Sequence, residues 1–270
     1  YRLSRGFREI RCKVSNFSLH IPSAMSENVF RFKQFSCSHG RSAIKIGVDG
    51  VLAGAWADVS GSSDILDVGT GCGLIALMCA QRNPTARVLA IDIHRDSVEE
   101  AAGNFSNSLW SGRLEARETD FLSLSVGGQC KFNLIVSNPP FFSSGISSAD
   151  TPRIIARHEG ILSPATLIEN CRPLLADRGR ISMITTADKG APLAELANKN
   201  GLCLLRYQYV KGTPAKPPKR ILLEFGVGYD IKESIRIMPP GTDNSLILEI
   251  SPGIPSDGHR ALCRDFYLYY

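Results

Sequence analysis

The segment Asn138, Pro139, Pro140 and Phe141 is the part of the chain best suited to bind an amino group on a planar ring. Each proline lacks an N–H group, so this corner is rich in hydrogen-bond acceptors. An amine could donate one hydrogen bond to the Asn138 amide oxygen and a second one to the Pro139 carbonyl. Two acceptors outside the ring plane favour the pyramidal geometry that the nitrogen needs to attack. Phe141 or Phe142 could stack on the ring. A proline turn beside core phenylalanines is the structural alternative.

A glycine-rich turn precedes this corner in the chain. Asp67, Gly69, Gly71 and Gly73 follow an apolar run typical of a buried strand and precede an apolar helical pattern. Glycine permits a tight turn and a close approach of a ligand to the backbone. The spacing differs from the dinucleotide pattern G-x-G-x-x-G because Leu74 fills the third glycine position. This favours a cofactor that has no pyrophosphate to place at the helix N-terminus.

Acidic residues follow the next two predicted strands. Asp92 lies 19 residues after Gly73, close to the ~20-residue offset at which a carboxylate meets a ribose diol. Asp120 could accept a hydrogen bond from the cofactor's adenine amine, and Phe121 could flank that ring. Asp92 could instead be a plain helix N-cap. With Asn138 at the end of the fourth strand, these residues indicate S-adenosylmethionine (SAM) as the cofactor and an exocyclic amine as the methyl acceptor.

The elements that carry these residues alternate between strands and helices, which indicates a doubly wound α/β fold. We predict a Rossmann-like, mostly parallel sheet of seven strands, ending near residues 68, 91, 118, 137, 185, 210 and 227. The last two strands lack an intervening helix, so we expect an antiparallel hairpin beside the fourth strand. The predicted divisions are a small N-terminal cap over 28–57, a methyltransferase domain over 58–230 and a C-terminal appendage over 231–270.

Composition excludes several classes of protein. The chain has 270 residues, of which 43% are hydrophobic and 21% are charged, as in a globular protein. No apolar run approaches the ~18 residues of a membrane-spanning helix. Eight cysteines occur without a C-x-x-C pair, which indicates reduced thiols rather than a zinc site or disulfides. We therefore expect a cytoplasmic location, no metal and no membrane partner.

The net charge of +5 is concentrated in parts of the chain. Most of it lies in residues 1–24, and the rest of the chain is nearly neutral. Two acid-free basic stretches remain, and we predict that they contact nucleic-acid phosphates. Their candidate residues are Arg31, Lys33, Lys216, Lys219 and Arg220. A solvated basic surface is the alternative for each stretch.

Taken in order, these motifs resemble those of class I amino-methyltransferases with an Asn-Pro-Pro-aromatic signature. The stretches 30–35 and 45–56 are similar to the N-terminal signature of bacterial tRNA1(Val) (adenine-N6)-methyltransferases, and the similarity covers roughly residues 28–270. It implies that Lys45, Gly47 and Asp49 line the cofactor pocket. It also implies tRNA as the partner and the adenine 3′ of the anticodon as the target. Val48 departs from the family, which usually has Thr there.

Residues 1–24 are rich in arginine and poor in acids, as in a transit peptide. Met25 falls where the family usually begins, so we interpret residues 1–27 as an N-terminal extension, either disordered or artificially added.

The sequence thus predicts a monomeric SAM-dependent RNA adenine-N6 methyltransferase in which Asn138, Pro139, Pro140 and Phe141 act on the target amine. Three alternatives remain open. One is a ribosomal RNA guanine-N2 methyltransferase, another is a protein glutamine methyltransferase, and the third is a SAM- or RNA-binding module without catalysis.

Overall fold

The structure of the chain is a computed structural model. The structure describes residues 28–42, 45–127, 130–140, 162–230, 232, 234–239 and 244–269. The predicted extension over residues 1–27 and the predicted stacking residue Phe141 lie outside the described residues.

Strands in the described part form one large sheet and two small pairs. The large sheet contains β3 (Asp64–Val68), β4 (Arg87–Asp92), β5 (Leu114–Glu118), β6 (Phe132–Ser137), β7 (Leu175–Thr186), β8 (Cys203–Lys211), β9 (Arg220–Gly226) and β10 (Ser245–Ile247). The small pairs are β1 (Val29–Arg31) with β2 (Ser36–Ser38), and β11 (Glu249–Ser251) with β12 (Ile254–Pro255).

Helices in the described part alternate with the strands of the large sheet. They are α1 (Val48–Trp56), α2 (Leu74–Arg82), α3 (Arg95–Ser106), α4 (Phe121–Gly127), α5 (Pro164–Asn170), α6 (Gly190–Lys199) and α7 (Asp257–Cys263). Short 3-10 helices span Ser111–Arg113, Arg172–Leu174 and Ala187–Lys189.

The strand order in the large sheet is β10-β8-β9-β7-β6-β3-β4-β5. Strands β3 to β7 run parallel, and β9 runs antiparallel to both β7 and β8. The predicted α/β fold and the antiparallel hairpin are therefore confirmed. Because parallel strands end at one edge, the turns after β3, β4 and β6 meet there. We call it the carboxyl edge and the opposite one the amino edge.

Two details of the predicted sheet are wrong. The described residues contain eight sheet strands rather than seven, because β10 pairs in parallel with β8. Its three residues give no alternation long enough to be recognised in the sequence. The hairpin also does not lie beside the fourth strand, since β7 separates β6 from β9.

The sheet is buried on both faces, as expected for parallel strands flanked by helices. Successive residues of a strand point to opposite faces, and Val136 and Ile135 accordingly belong to two different hydrophobic clusters. One cluster includes α1, α2, α7 and the phenylalanines of the β1–β2 segment, and the other includes α5 and α6. The first cluster positions α1 next to the glycine-rich turn that precedes α2.

No helix in the described part of the chain is both long and apolar enough to cross a membrane.

Candidate active site

A cavity of about 330 Å³ opens at the carboxyl edge of the sheet. Its volume lies within the usual range of small-ligand sites, roughly 300–1,000 Å³. The predicted site residues that line it are Lys45, Gly47, Gly69, Gly71, Asp92, Asp120, Phe121, Asn138 and Pro140. The structure thus brings the glycine turn, the two acids and the proline corner to one cavity.

The glycine turn has a conformation that L side chains rarely adopt. Gly69, Gly71 and Gly73 have φ values of 70°, 55° and 84°, in the left-handed region that glycine enters without steric cost. A Cβ on Gly73 would lie 2.5 Å from Phe105 Cε1, whereas one on Gly71 would meet no described atom within 4 Å. Gly71 therefore faces open space at the cavity, while Gly73 permits the packing of α3 against the turn.

Asp67 lies beneath the turn and does not line the cavity. Its Oδ2 accepts hydrogen bonds from Thr70 Oγ1 (2.6 Å) and from the Ala76 N–H (3.1 Å). Its Oδ1 is buried and has no hydrogen-bond partner among the described residues. Burial raises the pKa of Asp67 to about 7, and nearby Asp92 adds to the increase. These contacts show that Asp67 supports the turn. Its predicted contact with the cofactor stays a prediction.

Asp92 joins the end of β4 to the glycine turn. Its Oδ2 accepts from the Gly71 N–H (3.0 Å) and its Oδ1 accepts from the His94 N–H (2.9 Å). Each carboxylate oxygen has a second acceptor site, so Asp92 can hold the turn and still accept hydrogen bonds from a ribose diol. The structural and ligand-binding roles of Asp92 are therefore compatible.

Asp120 and Phe121 form another part of the cavity wall. Asp120 Oδ2 accepts from the N–H and Oγ of Ser123, both at 3.3 Å, which caps the N-terminus of α4. Phe121 is buried in the second hydrophobic cluster. The cap fixes the carboxylate at the cavity wall, and the ring borders the same space.

Asn138 directly follows β6 and lines the cavity. Ser137 Oγ donates to the Val68 carbonyl at 2.8 Å and so joins β6 to β3 at this level. The Asn138 Oδ1 atom is buried and finds no hydrogen-bond partner in the described part of the chain. Buried polar atoms are nearly always paired, so this oxygen is the atom of the site that most requires a donor from a ligand.

Lys45 and Asp49 make different contacts although the family resemblance assigns both to the cofactor. Lys45 lines the cavity, and its Nζ donates to the carbonyls of His39 (2.6 Å) and Gly40 (2.9 Å). Asp49 is not part of the lining, and its Oδ2 is paired with Arg220 Nε at 3.0 Å. Asp49 and Arg220, predicted for cofactor and RNA respectively, are therefore partners of each other.

The other basic residues predicted to contact RNA lie in two separate places. Lys216 and Lys219 are exposed on the connection between β8 and β9, at the carboxyl edge. Arg31 and Lys33 are also exposed, but Lys33 Nζ donates to the carbonyl of Arg264 in the C-terminal segment. The next residue of that segment is bound by Gln81, near the end of α2 farthest from the glycine turn. The structure thus brings Lys216 and Lys219 to the edge that carries Asn138, whereas Lys33 contacts the C-terminal segment.

Several cavity residues were not found by sequence reasoning. Ile93, His94, Ser97, Thr119 and Leu162 all line the cavity. Ile93 is 52% exposed although it is a large apolar side chain directly after Asp92. Position could have indicated Ile93, His94 and Thr119, because each is within two residues of a predicted acid. Ser97 and Leu162 carry no comparable signal.

A second depression, of about 590 Å³, lies at the amino edge and is more open to solvent. It is larger than the carboxyl-edge cavity, but it contains none of the predicted site residues. Several of its polar side chains, including Asp58, Arg82 and Asn83, are bound to other parts of the chain. Within the described residues, no three His, Cys, Asp or Glu side chains are grouped so that they could hold a metal ion.

Comparisons with known proteins agree with this geometry. Residues 52–197 match the methyltransferase small domain family. The chain is 38% identical to the tRNA1(Val) (adenine(37)-N6)-methyltransferase of Vibrio vulnificus over 88% of this chain and 95% of that protein. It is also 38% identical to the protein of the same name from Phocaeicola vulgatus, over 90% of this chain and 99% of that one.

Among solved structures, a predicted O-methyltransferase from Agrobacterium tumefaciens is similar with a TM-score of 0.60. The two chains are 19% identical, and the match covers 81% of this chain and 96% of that one. At this identity the likeness shows the fold, which is that of class I methyltransferases. Fold and family together identify a methyltransferase whose methyl donor is SAM. The chain belongs to the methyltransferase small domain family and, within it, to the tRNA1(Val) (adenine(37)-N6)-methyltransferases.

Proposed function

We propose that this chain transfers a methyl group from SAM to the N6 amine of adenine 37 in tRNA1(Val). The observation that carries the proposal is the buried Asn138 Oδ1, which has no hydrogen-bond partner among the described residues and borders the cavity that contains the glycine turn. The names of the relatives support the choice of adenine in tRNA.

The Asn138 oxygen favours a ligand that donates a hydrogen bond. Leaving a buried acceptor unpaired costs about 1–3 kcal/mol, and an exocyclic amine would recover that cost. Pro139 and Pro140 supply no N–H groups that could compete for the oxygen. Guanine N2 and a glutamine amide could also donate here, so the corner supports amine methylation and the relatives support adenine.

The residues around the cavity divide the work between cofactor and substrate. SAM supplies an electrophilic methyl group bound to a sulfonium. Asp92 would accept hydrogen bonds from the ribose hydroxyls, and Asp120 with Phe121 would hold the adenine of the cofactor. Asn138 would accept a hydrogen bond from the substrate amine and so orient the nitrogen lone pair toward the methyl group. The protein mainly positions the reactants, an effect that can supply several kcal/mol of rate enhancement, roughly 7–11 in favourable cases.

The tRNA path in this proposal passes over the connection between β8 and β9. Lys216 and Lys219 lie on this connection at the same edge as Asn138. Neighbouring strands are about 4.8 Å apart, so β9 and β8 are roughly 10 and 15 Å from β6. At this distance the two lysines can contact phosphates on either side of a base that enters the cavity.

Methylation of defined RNAs tests the proposal. The purified protein is incubated with methyl-tritiated SAM and with tRNA1(Val) transcripts that carry A or G at position 37. Ribosomal RNA and a release factor are offered in parallel, and the product nucleoside is identified by mass spectrometry. We expect N6-methyladenosine only in the A37 transcript. Label in guanine or in the release factor would contradict the proposal, and binding without transfer would favour the non-catalytic alternative.

The proposal includes three expectations from the sequence: that the enzyme is monomeric, that it is cytoplasmic and that it needs no metal. Equal activity with and without EDTA, a monomer mass in light scattering and recovery in the cytoplasmic fraction are the expected results.

A further inference from the structure

One ion pair connects the N-terminal cap to the far side of the active-site corner. Arg220 is the first residue of β9, and its Nε lies 3.0 Å from Oδ2 of Asp49 in the first turn of α1. The two side chains are only 14% and 21% exposed. They lie 171 residues apart in the sequence, so the pair joins two elements that are far apart along the chain.

Both ends of this pair border the corner that carries Asn138. The next residue after Asp49 is Gly50, and a Cβ built on it would lie 3.8 Å from Asn138 Nδ2 and 3.3 Å from Leu74. Gly50 also lines the cavity. At the other end, Arg220 pairs in register with Thr186 at the end of β7, the strand next to β6. The ion pair therefore joins the start of β9, beside the end of β7, to the turn of α1 that borders the Asn138 amide.

The first turn of α1 has no side-chain cap of its own. Its N-cap residue is Gly47, which has no side chain to accept hydrogen bonds from the exposed N–H groups. Asp49 interacts favourably with the positive end of the helix, and the guanidinium holds Asp49 in place. Removing one partner of a sheltered pair leaves a charge without compensation, which disturbs the geometry more than the loss of a surface pair.

We propose that Asp49 and Arg220 are positioning residues for methyl transfer, and that their ion pair holds the first turn of α1 against Asn138. The inference rests on the proposed function, because it concerns how the Asn138 amide meets the target amine. It departs from the family resemblance, which assigns Asp49 to the cofactor, and from the sequence-based assignment of Arg220 to RNA phosphates.

The test compares Asp49→Asn, Arg220→Gln and the double variant. We expect each single variant to lower kcat about 10- to 100-fold, because misplacement of a reacting group by about 1 Å has an effect of this size. The Kd for SAM, measured by calorimetry, should stay within about twofold of wild type. The double variant should be no slower than the slower single one, since both changes break the same contact. Arg220→Lys, which keeps the charge, should recover part of the lost rate.

A surface ion pair at the amino edge, with side chains 78% and 30% exposed, provides the control for removal of the charges. Arg87 Nη2 lies 2.7 Å from Asp64 Oδ1, and the two residues begin β4 and β3. Arg87→Gln with Asp64→Asn should leave kcat and the Kd for SAM unchanged. Melting temperatures of all variants separate misplacement from unfolding.

Three results would overturn the inference. Weaker SAM binding in Asp49→Asn at unchanged kcat would make Asp49 a cofactor residue. A reduced salt dependence of tRNA binding in Arg220→Gln at unchanged kcat would make Arg220 a phosphate contact. Independent, multiplicative losses in the double variant would show that the residues do not act through their pair. Failure of the wild-type protein to methylate the A37 transcript would instead reject the proposed function.

Discussion

Two asparagines at opposite edges of the sheet have opposite environments. Asn83 follows α2 at the amino edge, where its Nδ2 donates to the carbonyls of Val59 (2.7 Å) and Ser62 (2.8 Å). Its Oδ1 accepts from the N–H groups of Thr85 (3.0 Å) and Ala86 (2.9 Å). At the carboxyl edge, the Asn138 Oδ1 atom is buried but has no hydrogen-bond partner among the described residues. The same side chain thus joins loops at one edge and leaves an acceptor available for a ligand at the other.

Charged groups show a similar contrast. At the amino edge, Glu224 is 2% exposed and is paired with both Arg206 (2.9 Å) and Arg180 (3.5 Å). The Arg206 guanidinium also stacks on the Trp56 ring, 3.7 Å from its centroid. At the carboxyl edge, Asp92 is bonded to two backbone N–H groups and still lines the cavity. The difference suggests a test: changes at the amino edge should affect stability, and changes at the carboxyl edge should affect the reaction.

The largest expected effect is that of Asn138→Ala. This change removes the oxygen that would orient the amine, so we expect methyl transfer to fall by about 10²-fold or more, as for loss of one positioned polar group. SAM affinity should be nearly unchanged. Asn138→Asp should be milder because it keeps an acceptor. Single-turnover kinetics with saturating tRNA measures the effect, and normal turnover of Asn138→Ala would exclude the proposed role of the amide.

Asn83→Ala is the matched control at the amino edge. It leaves several buried backbone groups unpaired, so the free energy of unfolding should fall by about 2–3 kcal/mol. Methyl transfer per folded molecule should match wild type. If Asn83→Ala slowed the reaction at full folding, the two edges would not be functionally separate.

A second prediction contrasts the pKa values of two aspartates. Burial alone would raise the pKa of Asp58 at the amino edge, but hydrogen bonds from Ser60 and Arg180 outweigh it and lower the pKa to about 2. Burial raises the pKa of Asp67 from 3.8 to about 7. Between pH 3.8 and about pH 7, the folded protein therefore retains a proton on Asp67 that the unfolded chain has released. The stability associated with protonated Asp67 is therefore present below about pH 4 and is lost as the pH rises toward 7.

Asp67→Asn should remove this pH dependence, because an amide keeps an acceptor for Thr70 and Ala76 but does not titrate. Relative to wild type, the variant should gain about 3 kcal/mol of stability between pH 4.5 and pH 7.5. Urea unfolding at a series of pH values measures the difference. Parallel stability curves for the two proteins would show that Asp67 is ionised in the folded state throughout this range.

Asp92→Ala sharpens the comparison at the cofactor side of the cavity. Loss of charge-assisted hydrogen bonds should weaken SAM binding by about 1–3 kcal/mol, while the protein stays folded. Calorimetric titration with SAM measures the change. The structure adds a control: Asp58→Asn removes a carboxylate of the amino edge and should leave SAM affinity unchanged. Wild-type affinity in a folded Asp92→Ala variant would disprove the ribose assignment.

The sequence predicted the fold and many of the residues that the structure brings to one cavity, because these features depend on local patterns. The glycine turn, Asp92 and Asn138 each follow a strand that is recognisable from its apolar run, and parallel strands bring their ends together. The pairing of Asp49 with Arg220 could not be predicted, since it depends on contact between distant segments. The same holds for β10, whose three residues become a strand only when β8 offers an edge. The contacts of Asp67 with Thr70 and Ala76 could not be predicted either, because the motif does not reveal where this side chain points.

The smallest expected effect concerns RNA binding at the carboxyl edge. Arg220 is paired with Asp49, so the RNA test is limited to Lys216→Ala with Lys219→Ala. This double variant should weaken tRNA binding without changing SAM affinity, and each lost phosphate contact should lower the slope of log affinity against log salt by about 1.

Lys131→Ala with Lys199→Ala is the control, because both lysines are exposed and lie at the amino edge. Lys131 directly precedes β6, and Lys199 is in the last turn of α6. We expect filter binding at several salt concentrations to show a reduced slope only for the first variant. An unchanged slope for Lys216→Ala with Lys219→Ala would move the RNA path away from this connection. Arg31→Ala with Lys33→Ala would then test the other basic stretch, where a reduced slope would place RNA along the cap rather than over the hairpin.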